Sequence, residues 1–167
     1  IPFEISYVGG TGNDVVLIGN QPPTVAASNN SVSTFEGTPA TNSGTFNDLQ
    51  GNSTVTLTAS VGAITQDNST GTWSWLFNTA DGPDESQIVV VTATDSDGAF
   101  TTTSFELAVT NVAPTVVADR ALVAADEGAT AVNTGVFGDV GLDTVDLVVS
   151  VGTVTDNGDG TWAWSFN

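Results

Sequence analysis

The chain contains no cysteine, histidine or methionine, and Arg120 is its only basic residue, so lysine is also missing. Without cysteine there are no disulfides, and without imidazole or thiolate there are no ordinary zinc ligands. Ser-His and Cys-His nucleophiles are excluded for the same reason. Without lysine, no lysine–asparagine isopeptide crosslink can form. A carboxylate pair alone can serve a glycosidase, but nothing in the sequence fixes such a pair in a cleft. We therefore predict that the chain is not an enzyme.

Positive charge is almost absent, while 19 acidic residues bring the formal net charge to −18. Such a chain cannot neutralise the phosphates of nucleic acid or of an anionic lipid surface. No apolar run approaches the length needed to span a bilayer, so we expect no membrane insertion in this segment. Dense carboxylates instead favour solubility and divalent cations that prefer oxygen ligands.

An internal repeat is the strongest positive signal in the sequence. Pro23-Thr24-Val25 recurs 91 residues later as Pro114-Thr115-Val116, and Glu36-Gly37 recurs as Glu127-Gly128 at the same spacing. After a small deletion, Gly71-Thr72-Trp73-Ser74-Trp75 matches Gly160-Thr161-Trp162-Ala163-Trp164. A repeat of this period is typical of tandem domains.

The repeat predicts three segments. Residues 21–112 form one complete unit, residues 113–167 form a partial second unit, and residues 1–20 are the closing strands of a preceding β domain. Because the chain begins at Ile1 without an initiator methionine and stops inside the second copy, we expect it to be a fragment of a longer protein.

The complete unit has the pattern of short strands joined by turns rich in Asn, Asp, Gly and Ser. Trp73 and Trp75 alternate with Thr72 and Ser74, and no segment shows a helical period with caps. The predicted strands lie near 24–34, 38–46, 54–60, 62–66, 72–77, 87–95 and 99–110. Seven strands in about 91 residues predict an all-β fold of tandem immunoglobulin-like Greek-key β-sandwiches, the second incomplete in this chain.

Four stretches also carry a family resemblance: Gln21 to Val25, Glu36-Gly37, Val90 to Gly98, and Asn111 to Pro114. They resemble bacterial extracellular repeat domains of the PKD, cadherin-like and bacterial Ig-like kinds. The resemblance implies an extracellular, secreted or cell-surface module that acts as a stalk, or as part of an adhesin, matrix protein or filament. The Asp-x-Asn-Asp-Asn linker of cadherins is missing, and only Asn111 remains at that place.

Polar side chains predicted to gather at the two poles of a sandwich suggest calcium sites. In this topology the N-terminal linker, the second-to-third loop and the sixth-to-seventh loop share one pole, and the first-to-second turn lies at the other. Calcium binds six to eight oxygens from carboxylates, amides and carbonyls. The alternative is that these residues are solvated turn residues, as Asp95 to Gly98 is a good hairpin turn. The candidate ligands are Asn20, Asp48, Asp95, Asp97, Glu36, Asn111, Asp139 and Asp143.

Two further motifs each allow two interpretations. Gly9 to Leu17 matches a single calcium-binding RTX nonapeptide, but the same residues also suit a hairpin. The pairs Trp73/Trp75 and Trp162/Trp164 suit either the core of a sandwich or a carbohydrate-binding module that stacks on polysaccharide.

The expected partners are neighbouring copies or repeats of the same protein. An unfinished second sheet would expose strand edges, which invite pairing with another chain. The head of one copy would then complete the tail of the next, unless a longer chain supplies the missing strands.

Overall fold

The computed structural model describes residues 3–9 and 14–167, which form strands and loops together with one short 3-10 turn at Asn52–Thr54. No helix in this described part is long and apolar enough to cross a membrane. The strands are β1 (Phe3–Gly9), β2 (Asp14–Gly19), β3 (Thr24–Ala27), β4 (Ser31–Phe35), β5 (Ala40–Asn47), β6 (Thr56–Ala59), β7 (Ala63–Asp67), β8 (Thr72–Phe77), β9 (Gln87–Thr94), β10 (Phe100–Thr110), β11 (Thr115–Ala118), β12 (Ala131–Gly138), β13 (Thr153–Asp156) and β14 (Thr161–Phe166).

Strands β3 to β10 form two four-stranded sheets with an immunoglobulin-like order. One sheet runs β3-β5-β8-β7 and is antiparallel throughout. The other runs β4-β10-β9-β6, in which β4 is parallel to β10 and the remaining pairs are antiparallel. These are the ABED and CFG sheets of the immunoglobulin fold, with a short first-strand segment added beside the last strand. The predicted fold class is confirmed.

The core of this first sandwich follows from side-chain alternation. Along β5 every second residue is buried, from Ala40 to Phe46, and the residues between face solvent. Strand β8 buries Trp73 and Trp75 in the same way. Strand β9, predicted as central from its apolar run, does lie between β10 and β6. Every residue of the buried hydrophobic cluster lies between positions 40 and 109, so the sandwich has a core of its own.

One predicted strand is wrong in its extent. The segment 24–34 is not one strand but two, β3 and β4, which belong to different sheets. The chain crosses between the sheets at Ser28 to Asn30, where Asn29 and the buried Asn42 hold it. Asn42 Nδ2 donates to the Asn29 carbonyl at 2.9 Å, and Asn29 Nδ2 donates to Asn42 Oδ1 at 3.2 Å.

The second repeat forms one sheet, in the order β11-β12-β14-β13. It matches the first sheet of the first sandwich strand for strand. The counterparts of β4 and β6 are not strands here, and Val148 is 89% exposed. In the first sandwich β4 pairs only with β10, and β6 pairs only with β9. The repeat would place the counterparts of β9 and β10 after residue 167, so these two segments have no partner strand among the described residues.

Strands β1 and β2 pair antiparallel, from Phe3 opposite Gly19 to Gly9 opposite Asp14. This pairing agrees with the hairpin interpretation of Gly9 to Leu17. Residues 10–13, four of the nine residues of the RTX-like motif, lie outside the described residues.

Candidate cation site at the junction of the two repeats

Four pieces of chain meet where the first sandwich joins the second repeat. They are the β4–β5 turn with Glu36, the β8–β9 connection around Gly82, the linker residue Asn111, and the loop that follows β12. The backbone ties this last loop to the first sandwich, because the Leu142 N–H donates to the Ala80 carbonyl oxygen at 3.0 Å. The topology brings turns of both repeats to the same place.

Glu36 anchors this junction. It is a carboxylate with only 1% of its surface exposed, which is unusual without charged partners. Two backbone donors hold it: Gly82 N–H bonds Oε2 at 2.8 Å, and Val112 N–H bonds Oε1 at 2.7 Å. Each carboxylate oxygen keeps a further lone pair.

The Asn111 side chain points one amide atom at four oxygens. That atom lies 3.0 Å from the Gly82 carbonyl oxygen, 3.1 and 3.3 Å from the Glu36 carboxylate oxygens, and 2.5 Å from Asp143 Oδ2. Amide nitrogen and oxygen must be told apart by their hydrogen bonds. With nitrogen facing inward, the amide donates its two hydrogens to this set, and both Glu36 oxygens also accept backbone N–H groups. The hydrogen bonds therefore place the amide nitrogen inward, and a cation bound here would require the side chain to turn its oxygen inward instead.

Negative charge is concentrated around Asp143. Burial raises the pKa of Asp143, and the negative charge of Glu36 is the next cause, followed by other nearby carboxylates. The neighbouring negative charges disfavour the ionised form of Asp143, so a cation bound here would offset their repulsion. These further carboxylates are Asp81, Asp139 and Asp84.

No three acidic side chains among the described residues lie close enough to hold a metal ion by themselves. A cation at this junction must therefore take ligands from amide and carbonyl oxygens as well. The Gly82 carbonyl is one such oxygen beside the carboxylates of Glu36 and Asp143, and the Asn111 amide would add another if its side chain turned its oxygen inward.

The structure divides the eight predicted ligands into separate groups. Glu36, Asn111 and Asp143 come together, while Asp139 uses Oδ1 to accept the neighbouring Val140 N–H at 2.8 Å. At the opposite pole, Asn20 Nδ2 donates to Asp95 Oδ2 at 2.7 Å.

The other two predicted ligands of that pole do not join Asn20. Asp97 approaches Asp95 through its backbone N–H, which bonds Asp95 Oδ1 at 2.9 Å. Asp48 is buried and bonds within its own loop, accepting Gln50 N–H on Oδ1 at 2.8 Å, while its Oδ2 makes no hydrogen bond. Within the described residues, no hydrogen bond links Asp48 to Asn20 or Asp95.

Sequence reasoning missed the contribution of the β8–β9 connection. Gly82 supplies a carbonyl oxygen, and Asp81 and Asp84 supply charge. A usable signal was present, since an acidic Asp-Gly-Pro-Asp run between the fifth and sixth predicted strands belongs to the same pole as Glu36.

The Asn20–Asp95 contact supports a pKa prediction. The hydrogen bond from Asn20 is the largest cause that lowers the pKa of Asp95, ahead of bonds from Ala99 and Asp97. Replacing Asn20 with alanine should raise that pKa towards its ordinary value. An acid with a lowered folded pKa stabilises the fold above its unfolded pKa and loses this contribution as pH falls. The variant should therefore lose less stability on acidification. A carboxyl-detected NMR titration checks the shift, and an unchanged Asp95 midpoint would contradict it.

The first tryptophan pair belongs to the core, as one interpretation predicted. Trp73 and Trp75 are buried, and Trp75 packs edge-on against Phe105 of the facing sheet at 5.0 Å between centroids. Neither ring is free to stack on a sugar, so the carbohydrate-binding hypothesis is wrong for this pair. In the second repeat Trp162 is also buried, and Trp164 lies in a cavity beside Val148 on the open face.

No protein-family model matches the chain, and no curated protein is significantly similar to it. Solved structures with similar strand arrangements exist. Titin domains Z1Z2 in complex with telethonin share 14% identity at a TM-score of 0.43, covering 89% of this chain and 82% of that one. Dpr2 Ig1-Ig2 in complex with DIP-Theta Ig1-Ig3 shares 12% identity at a TM-score of 0.44, covering 80% and 67%. A chimeric titin Z1Z2 carrying a decorin peptide shares 18% identity at 0.42, covering 55% and 97%.

Proposed function

We propose that this chain is a structural segment of an extracellular stalk or adhesive protein, in which calcium stiffens the junction between consecutive sandwiches. The observation that carries the proposal is the convergence of oxygens from Glu36, Gly82 and Asp143 on the side-chain amide of Asn111 at that junction. The residues come from both repeats, so a cation bound there would restrain their relative movement.

Calcium suits these donors better than other cations. The candidate ligands are all oxygens, of carboxylate, amide and carbonyl type, which is the mixture that calcium takes in proteins. Magnesium demands a near-ideal octahedron and retains its water, so a site of mixed donors on separate loops favours calcium. Zinc would need imidazole or thiolate, and the sequence has neither.

An extracellular role agrees with this chemistry and with the overall charge. Extracellular modules bind calcium with dissociation constants of about 0.1–1 mM, a range that sites with few carboxylates reach. The bacterial PKD, cadherin-like and Ig-like resemblance of the linker and turn sequences points to the same setting. The lack of histidine, cysteine and lysine supports a spacer over an enzyme.

Contacts with other copies remain a further part of the proposal. In this chain the inner face of the second repeat is open around Trp164, Val148 and Val151. Strands equivalent to β9 and β10 would cover it. A head-to-tail arrangement, in which another copy supplies these strands through its β1–β2 hairpin, stays a prediction.

The test of the calcium proposal is thermal melting in EDTA and then in millimolar calcium at constant ionic strength. At 10 mM calcium, which is about 10 to 100 times these dissociation constants, binding adds roughly 1.4–2.7 kcal/mol. For a chain of this size that corresponds to a rise of roughly 3–10 °C in Tm. Magnesium at the same concentration should raise Tm much less.

Two alanine variants control for charge. Asp143→Ala should abolish the calcium response, while Glu106→Ala, which removes an equal charge from the exposed face of β10, should keep it. A calcium shift below about 2 °C in the unmodified chain would exclude the site. An equal response in both variants would place the cation elsewhere.

A further inference from the structure

The loop after β12 contacts the first sandwich at the β4–β5 turn. Val140 covers Gly37 of the β4–β5 turn, and its Cβ lies 4.0 Å from the position that a Cβ on Gly37 would occupy. Beside it, the Leu142 N–H bonds the Ala80 carbonyl at 3.0 Å. The contact therefore combines one apolar side chain, a bare glycine and one backbone hydrogen bond.

The first sandwich carries the same loop at its opposite pole. Asp48-Leu49 corresponds to Asp139-Val140 in the repeat, and each aspartate Oδ1 accepts a loop N–H at 2.8 Å, from Gln50 in the first loop and from the adjacent Val140 in the second. A glycine with positive φ follows in each, Gly51 at 116° and Gly141 at 103°, as only glycine adopts such angles readily. The first loop is one residue longer before this glycine, so Leu49 matches Val140 by its place directly after the aspartate.

Leu49, at the tip of this loop, is 71% exposed. Its counterpart Val140 is the side chain that seats on the glycine turn of another sandwich. A single exposed apolar residue is common on protein surfaces, and Leu49 stands out by its position, because the matching residue Val140 contacts Gly37.

We infer that the Leu49 loop docks on the Glu-Gly turn of another sandwich of this same type. Leu49 takes the place of Val140 in this contact. When the repeats are aligned on Gly51 and Gly141, Asn52 corresponds to Leu142. The Asn52 N–H then bonds a carbonyl equivalent to that of Ala80. The inference extends the proposed spacer function, because it names a partner for the opposite pole of the first sandwich. It makes the contact between loop and turn recur at each joint.

Repetition of one joint has a consequence for shape. Each sandwich has the docking loop at one pole and the Glu-Gly turn at the other, so the contact is head-to-tail. Identical head-to-tail contacts propagate as a rod or helix and do not close on themselves unless the rotation permits a ring. The second repeat keeps the turn as Glu127-Gly128, with a positive φ of 79° at the glycine, ready for the next loop.

The Leu49 joint differs from the observed one in its charge. In the same alignment, Ser53 stands where the second repeat has Asp143. This joint therefore lacks one of the proposed cation ligands, and it should form without calcium. The docking inference and the calcium proposal can fail independently for this reason.

Disulfide trapping tests the docking, since the chain has no cysteine of its own. The observed joint gives the reference: Gly37→Cys with Val140→Cys has a Cβ separation of 4.0 Å, within the range for a disulfide, and the strain of a cysteine at a φ of 71° is the same in every pair compared. The test uses a chain in which a second copy of residues 21–110 precedes Asn20 to Asn167. It pairs Gly37→Cys of the leading copy with Leu49→Cys of the following copy. The first sandwich has a complete core, so the added copy can fold by itself.

The matched control pairs the same leading Gly37→Cys with Asp97→Cys, on a neighbouring loop of the same pole. In dilute protein and EDTA, the Leu49 pair should close at least about tenfold faster than the Asp97 pair, because docking raises the effective concentration of the two thiols. Closure of the reference pair without faster closure of the Leu49 pair would overturn the inference. Failure of the reference pair as well would overturn it together with the observed joint on which it is based.

Discussion

Glu36→Ala is expected to lower the free energy of unfolding of the first sandwich by about 3 kcal/mol. The buried carboxylate accepts hydrogen bonds from Gly82 N–H and Val112 N–H, and alanine leaves both donors without a partner. An unsatisfied buried donor costs about 1–3 kcal/mol. Because Glu36 joins the β4–β5 turn to the β8–β9 connection and to the linker, its loss affects three chain segments. Urea unfolding in EDTA, followed by tryptophan fluorescence, measures the loss without any cation contribution.

The second repeat offers a matched control for this variant. Glu127 is the repeat counterpart of Glu36, but it is exposed. The repeat would place the residues that match Gly82 and Val112 after residue 167, so no equivalent segment covers Glu127 among the described residues. Glu127→Ala should therefore change the free energy of unfolding by no more than about 0.5 kcal/mol. Equal losses in the two variants would show that burial and the two backbone hydrogen bonds are not what makes Glu36 important.

Some parts of this structure were predictable from the sequence because strong local patterns fix them. The alternation of Trp73 and Trp75 with small polar residues determines which face of β8 is buried. The apolar run from Ile88 to Val91 marks β9 as a central strand. The repeat predicts that the same arrangement recurs around Trp162, and the structure pairs β12 with β14 as it pairs β5 with β8.

Other features depend on tertiary contacts that leave little trace in the sequence. The break between β3 and β4 requires a crossing from one sheet to the other, and the buried Asn42 that holds it looks like any polar strand residue. A backbone ligand such as the Gly82 carbonyl carries no residue-type signal. Asp48 was grouped with Asp95 because their loops share a pole, but loop proximity does not set side-chain direction, and Asp48 bonds inside its own loop.

The junction shows how these two kinds of information combine. Glu36, Asn111 and Asp143 were predictable as candidates from residue type and topology, and the structure adds the donors and distances that unite them. The same comparison of repeats that located the strands also identifies Leu49 as the counterpart of Val140. Sequence periodicity thus indicates where a contact seen once can recur.

Trp75→Ala should cost about 4 kcal/mol of unfolding free energy, whereas the equivalent Trp164→Ala should cost about 1 kcal/mol. Both indoles donate to a backbone carbonyl at 2.7 Å, Trp75 to Val61 and Trp164 to Val151. Both also stack on the phenylalanine two residues later, at centroid distances of 6.2 and 6.4 Å. The local environment within one sheet is therefore the same at the two sites.

What differs is the facing sheet. Trp75 is 1% exposed and contacts Phe105 across the sandwich, while in this chain no facing sheet covers Trp164 within the described residues. A large aromatic removed from a packed core leaves a cavity, but one removed from an open face mostly returns surface to water. The difference between the two variants, measured by urea unfolding, isolates what the second sheet contributes to one side chain. If Trp164→Ala proves as costly as Trp75→Ala in the 167-residue chain, the open face around Trp164 must be covered in solution. Another copy of the chain would be the occupant to look for. Light scattering across a concentration series would detect it.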